Sequence, residues 1–100
     1  MKRLIVACGS GVATSQTIAS KIADKFEQDG IVVTVDAVDY KSIDGELGTT
    51  NIYVYIMPPE QELIEKTEEL GIDVFPGIPF LTGMGMDEVY EQIVEAAQKS

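Results

Sequence analysis

Leu4-Ile5-Val6-Ala7-Cys8-Gly9-Ser10-Gly11-Val12-Ala13-Thr14-Ser15 is the stretch on which the fold turns. Its first four residues form a continuous apolar run, as in a short strand covered on both faces. Gly9 and Gly11 end the run, and from Ser15 onward the hydrophobic period changes. Ile18, Ile22 and Phe26 recur at i, i+4 and i+8 with Ala19 and Ala23 beside them, while Lys21, Asp24 and Lys25 take the other face. Gly30 is placed to stop this helix. A buried strand, a glycine turn and an amphipathic helix, in that order, make a unit whose strand needs parallel neighbours.

The rest of the chain supplies them. Ile31-Val32-Val33-Thr34-Val35 reads as a β-branched second strand. Between Asp39 and Asn51 the period weakens, and Ser42, Asp44, Gly45 and Gly48 indicate a short helix or an irregular crossover. Ile52-Tyr53-Val54-Tyr55-Ile56 is a third strand. Pro58-Pro59 breaks it and opens a helix from Glu60 to Leu70, with Leu63, Ile64, Thr67 and Leu70 on its inner face and Gly71 past its end. Asp73-Val74-Phe75 and Ile78-Pro79-Phe80 surround a fourth strand or extended segment. Met86, Val89, Tyr90, Ile93, Val94 and Ala97 mark a last helix. Strands alternating with helices and right-handed crossovers predict a Rossmann-like three-layer α/β sandwich. The predicted sheet is parallel and four-stranded, in the order 2-1-3-4, within a single domain over residues 1–100. That order reverses direction between strands one and three, so the loops after Ala7 and Ile56 flank the ligand crevice. Cys8 is the first residue of one of them.

Composition narrows the chemistry. Seven basic and seventeen acidic residues give a formal charge of −10, which repels nucleic acid and anionic lipid over most of the surface. No apolar run is long enough to span a bilayer, and a soluble cytoplasmic protein is expected. One cysteine and no histidine leave no internal disulfide, no phosphohistidine, no Cys-His dyad and no basis for a zinc site. Cys8 is the candidate nucleophile. Nucleotide binding fits poorly, since neither the lysine of a GxxxxGK[ST] loop nor the spacing of a GxGxxG fingerprint is present; no metal and no cofactor are expected.

The segment Gly9-Ser10-Gly11-Val12-Ala13-Thr14-Ser15 comes directly after Cys8 and leads into a helix N-terminus. Gly9 and Gly11 permit backbone dihedrals that turn successive N–H groups toward one centre, and the helix adds its own free N–H groups and dipole. The predicted result is an anion cradle beside a thiolate. Ser10, Thr14 and Ser15 offer hydroxyl donors. The spacing also resembles the C-x5-R-[ST] loop of low-molecular-weight tyrosine phosphatases, with Thr14 at the arginine position. Without a guanidinium to offset transition-state charge, hydrolysis gains less than storage of a thiophosphate. Three readings remain open on these residues: a phosphocysteine carrier, a small phosphatase, and a non-catalytic α/β binding module with a structural thiol.

Val6 to Ser15 resembles the phosphocysteine loop of the IIB components of the bacterial sugar phosphotransferase system, galactitol type. Gly77-Ile78-Pro79-Phe80-Leu81-Thr82-Gly83-Met84-Gly85 resembles that group's proline- and glycine-containing segment before the last helix. The lactose, cellobiose and ascorbate branches carry related loops. The resemblance implies a relay in which a phosphohistidine of a IIA component donates to Cys8, and Cys8 passes the group to a sugar or polyol. The acceptor would be entering through a membrane-embedded IIC permease, bringing the chain transiently to the inner face of the membrane. Gly9, Ser10, Gly11, Val12, Ala13, Thr14 and Ser15 would bind the phosphoryl group. Met84, Met86, Pro58 and Pro59 receive no functional role; the methionines are expected in the core or its rim, and the glutamates from Glu60 to Glu69 on a solvated helix face.

Overall fold

The computed structural model describes residues 2–8, 13–56 and 60–98, with backbone alone at positions 8, 13 and 14. Four parallel strands form one sheet in the order β2-β1-β3-β4: β1 Lys2–Cys8, β2 Val33–Asp39, β3 Ile52–Tyr55 and β4 Asp73–Pro76. The predicted order is the observed one. Lys2 pairs with Val33 and Cys8 with Asp39 on one side of β1, while Leu4 to Ala7 pair with Ile52 to Tyr55 on the other.

The strand alternation divides the core into two layers. Leu4, Val6, Ile52 and Val54 face helices α1 (Ala13–Asp29) and α5 (Met86–Gln98), meeting Ile18, Ile22, Phe26, Tyr90 and Ile93. Ile5, Ala7 and Tyr53 face α2 (Ile43–Glu46) and α3 (Gln61–Leu70), meeting Ile43, Leu47, Leu63 and Ile72. Three layers result, as the hydrophobic periods require. The 39–51 segment is a chain of short helical turns, with 3-10 turns at Tyr40–Ser42 and Leu47–Thr49 on either side of α2. Lys25, read as outward, is half-buried; its ammonium lies 5.2 Å from the centre of the Tyr90 ring and holds α1 against α5.

Three local readings need correction. The second strand starts at Val33 rather than Ile31, because Ile31 belongs to the end of α1. Gly30 adopts φ 70°, and the Ile31 N–H reaches back to the Phe26 carbonyl at 2.9 Å. This is the left-handed glycine cap, with an apolar residue after it folded onto the helix. Val32 is left 74% exposed. The same device overturns the reading of Leu70. Gly71 (φ 72°) turns the chain so that the Ile72 N–H bonds the Thr67 carbonyl at 2.8 Å. Ile72 then becomes the buried apolar residue at that end of α3, while Leu70 is 53% exposed. Third, Ile78-Pro79-Phe80 is helical, not extended. Helix α4 (Ile78–Thr82) has a proline in its first turn and Gly83 at its left-handed cap, donating its N–H to the Pro79 carbonyl at 2.8 Å.

Candidate functional site

Cys8 closes β1, and its backbone pairs with Asp39, the last residue of β2. On the other side of β1, Ala7 pairs with Tyr55. The sheet order makes the C-terminal ends of β1 and β3 the switch point, so Cys8 stands at the position where folds of this architecture bind ligands. Helix α1 begins at Ala13 with no acidic residue in its first turn, leaving its positive end without a carboxylate. Ser15 is fully buried in that turn and has an interaction partner. Gly9, Ser10, Gly11 and Val12 lie outside the described residues, as do the side chains of Cys8, Ala13 and Thr14 and the residues Met57, Pro58 and Pro59.

Three described residues frame this end of the sheet and were given no role on sequence. Asp39 accepts a hydrogen bond from the Lys41 N–H at 3.0 Å, which fixes the turn leaving β2. Tyr40 accepts one from the Glu60 N–H at 3.3 Å and so ties that turn to the start of α3. Gly77 is buried against the end of β3. Its N–H bonds the Tyr55 carbonyl at 2.7 Å. A Cβ placed on it would lie 2.9 Å from Val54 Cγ1 and 3.1 Å from the Tyr55 carbonyl oxygen. Only glycine lets α4 pack this closely beside the crevice. The signal for it was the Pro76-Gly77 pair, a turn dipeptide immediately after a strand.

The other end of β1 bears on the chemistry. Arg3 is the single arginine of the chain. Its Nε lies 3.0 Å from Asp36, one terminal nitrogen lies 2.6 Å from Glu46, and the other donates to Thr49 Oγ1 at 2.7 Å. It lies five strand steps from Cys8, about 16 Å at the usual strand rise. No guanidinium of this chain can therefore reach a phosphoryl group on Cys8. The feature that a phosphatase of the C-x5-R type uses to stabilise charge is missing in space as well as in sequence.

Among the described residues, no helix is long and apolar enough to cross a membrane.

Comparison with known proteins points the same way. SgcB, a phosphotransferase enzyme IIB component of Escherichia coli (strain K12), is 29% identical over 93 residues, covering 93% of this chain and 94% of SgcB. The lactose-specific IIB domain of Streptococcus pneumoniae superposes with a TM-score of 0.72 at 19% identity, covering 98% of both chains. The cellobiose-specific IIB protein of Borrelia burgdorferi gives a TM-score of 0.62 at 18% identity, covering 96% of this chain and 87% of that one. These two likenesses establish the fold. Residues 3–92 match the family described as "PTS system, Lactose/Cellobiose specific IIB subunit". The chain belongs to that family and is a IIB component of the sugar phosphotransferase system, a phosphotransferase that works with IIA and IIC partners and a sugar.

Proposed function

We propose that this IIB chain carries the phosphoryl group on Cys8. The Cys8 thiolate attacks the phosphorus of a IIA phosphohistidine, the P–N bond breaks as the S–P bond forms, and the histidine ring keeps the leaving electron pair. In the second step a hydroxyl oxygen of the incoming sugar attacks the same phosphorus and Cys8 leaves as thiolate. The observation that supports this most is placement: the one cysteine of a chain without histidine ends the strand at the switch point, directly ahead of the loop into α1.

Each step needs charge held without hydrolysis. Main-chain amides from Gly9 to Ser15 and the N-terminal turn of α1 are the proposed donors to the phosphoryl oxygens. Gly9 and Gly11 supply the backbone freedom, and Ser10, Thr14 and Ser15 supply hydroxyls. Val12 and Ala13 contribute their N–H groups. Such a cradle lowers the thiol's pKa and makes it a better leaving group in the second step. It lacks the arginine that would favour attack by water. Bases are not required of this chain, because the donor histidine and the acceptor's deprotonating group belong to its partners. Residues 1–100 are proposed to act as one IIB domain that meets the membrane through the IIC permease. The resemblance of Val6 to Ser15 supports a polyol cargo, galactitol, within this family.

The test is phosphorylation by a IIA protein charged through its upstream enzymes, read by intact mass. One phosphoryl group per wild-type chain and none on Cys8→Ser is the result this reading requires. A Cys8→Ser chain that still gains the group would refute it. For the cargo, deletion should abolish growth on galactitol and spare growth on lactose and cellobiose; the reverse pattern would remove the polyol assignment.

A further inference from the structure

Residues 4–20, 47–59 and 74–86 contain no charged side chain. Each run covers a strand and the segment beyond its C-terminal end: β1 into α1, β3 beyond Tyr55, and β4 through α4 to the start of α5. Burial alone does not explain them, since the third run includes exposed positions. Met84, which sequence placed in the core or its rim, stands in solvent at 79% exposure, while Met86 packs against the core. Strand β2 breaks the pattern. It brings Asp39 into register with Cys8, and neighbouring strands lie about 4.8 Å apart.

Asp39 is half-buried, and strand alternation sets it on the α1 side of the sheet. Val33, Val35 and Ala37, at alternate positions before it, pack into the layer that holds Leu4, Val6 and α1. Its carboxylate accepts from the Lys41 main-chain N–H at 3.0 Å, and none of the ion pairs among the described residues includes it. The Lys41 side chain lines a groove on the opposite face, between α2 and α3, together with Asp44, Glu60 and Glu62. On α1 the first charged residue is Lys21, eight positions past Ala13 and about 12 Å along the helix. Turn formation does not require the charge of Asp39, because asparagine would accept the same main-chain bond through its side-chain carbonyl.

We propose that Asp39 tunes the transfer potential of the phosphoryl group on Cys8, an inference that rests on Cys8 being the carrier. It makes and breaks no bond; it acts through space as a fixed negative charge. An anion cradle alone deepens the phosphorylated state and turns a carrier into a sink. A carboxylate one strand away opposes the phosphoryl dianion and, more weakly, the thiolate. The cradle lets the group arrive from a phosphohistidine, and the carboxylate keeps it ready to leave for a hydroxyl. Surroundings free of charge on the α1 side give this single carboxylate its weight.

The experiment removes the charge and keeps the turn. Asp39→Asn retains an acceptor for the Lys41 N–H. Glu69→Gln removes the same charge from an exposed position near the C-terminal end of α3, far from Cys8 along the sheet. Thermal melting checks the folding of each, and Asp39→Ser, which also accepts at a turn, repeats the test should Asp39→Asn fail to fold. Purified IIA, phosphorylated by its upstream enzymes, is mixed with each chain, and the equilibrium division of the phosphoryl group is read by intact mass. Asp39→Asn should shift that equilibrium toward the phosphorylated chain by about tenfold, with Glu69→Gln as wild type. The lone cysteine gives a second reading that needs no phosphoryl transfer. The pH midpoint of Cys8 alkylation by iodoacetamide should fall by about half a pH unit in Asp39→Asn and stay in place in Glu69→Gln. A wild-type equilibrium in Asp39→Asn, or an equal shift in Glu69→Gln, overturns the proposal and leaves Cys8 as carrier untouched. Loss of melting temperature with weaker acceptance in Asp39→Asn would assign Asp39 to the turn alone and also overturn it. Absence of transfer to the wild-type chain would instead strike the carrier reading, whereas the alkylation midpoint still decides whether Asp39 acts on residue 8.

Discussion

The two ends of β1 are built from opposite materials. At Arg3 the strand is pinned by side chains: two carboxylates, a threonine hydroxyl, and a reciprocal exchange with Asn51, whose Oδ1 accepts the Arg3 N–H at 3.0 Å while its own N–H donates to the Arg3 carbonyl at 2.9 Å. At Cys8 the strand runs into glycines, and the neighbouring packing is held by main-chain bonds such as that from Gly77 to Tyr55. A side-chain staple stabilises but occupies its own polar groups. Backbone packing of this kind uses no side-chain polar group. The chain places its one guanidinium where it holds the sheet together, five strand steps from Cys8, and on the proposed reading that division is what separates a carrier from a hydrolase.

Substitutions at the two ends should therefore fail in different ways. The largest effect is expected from Cys8→Ser, which should lower phosphoryl acceptance by about a thousandfold or more without shifting the thermal midpoint. Next comes Gly77→Ala. Its new methyl would meet a backbone oxygen that cannot swing aside, so a loss of about 1–3 kcal/mol by denaturant unfolding is expected, with slower phosphoryl acceptance as α4 is displaced. Arg3→Ala should cost about 1 kcal/mol, since its ion pairs are partly solvated, and should leave the phosphorylation rate unchanged. A change of rate in Arg3→Ala would erase the division between the ends.

The smallest effect belongs to two tyrosines on opposite faces of the sheet. Tyr53 is fully buried and its hydroxyl has no hydrogen-bond partner among the described residues. Burial first, and then Tyr40 and Tyr55 nearby, push its pKa up. Tyr90 is likewise raised, by burial and then by donating to Asp29 at 2.6 Å. Above pH 10, where tyrosines of the unfolded chain release protons that these two retain, stability should fall as pH rises. Tyr53→Phe should be neutral or mildly stabilising at neutral pH, because it removes an unpaired buried hydroxyl, whereas Tyr90→Phe should lose about 1 kcal/mol. Each should flatten the alkaline decline, measured by urea unfolding between pH 8 and about 11.

Hydrophobic period set how much was legible in the sequence. Strand order, the three layers and the position of Cys8 come from alternating buried runs and amphipathic stripes, which residues such as Ile18, Ile22 and Phe26 state without ambiguity. Two of the misreadings fall where a glycine redirects the chain. Ile31 looks like a strand residue by composition but is taken by the cap that Gly30 makes, and Ile72 displaces Leu70 by the same turn at Gly71. Ile78-Pro79-Phe80 looks extended because proline and a β-branched residue disfavour helix interiors, yet proline is well tolerated in a first turn, and α4 has little more than that. Tyr40 and Gly77 gave no periodic signal, since their roles depend on contacts with Glu60 and Tyr55, which are distant in sequence. Cys8 was singled out as candidate nucleophile by elimination, with no histidine or second cysteine to compete, and the proposed anion loop by glycine spacing; Gly9 to Val12 lie outside the described residues.

The most direct test of the whole account is the phosphorus NMR spectrum of the native wild-type protein after charging by phosphorylated IIA. A phosphoryl group stored at the end of β1 should give one resonance at the shift of a phosphorothioester, absent from Cys8→Ser. A resonance at the shift of a serine or threonine phosphomonoester would put the group on Ser10, Thr14 or Ser15 and contradict the role assigned to the sulfur.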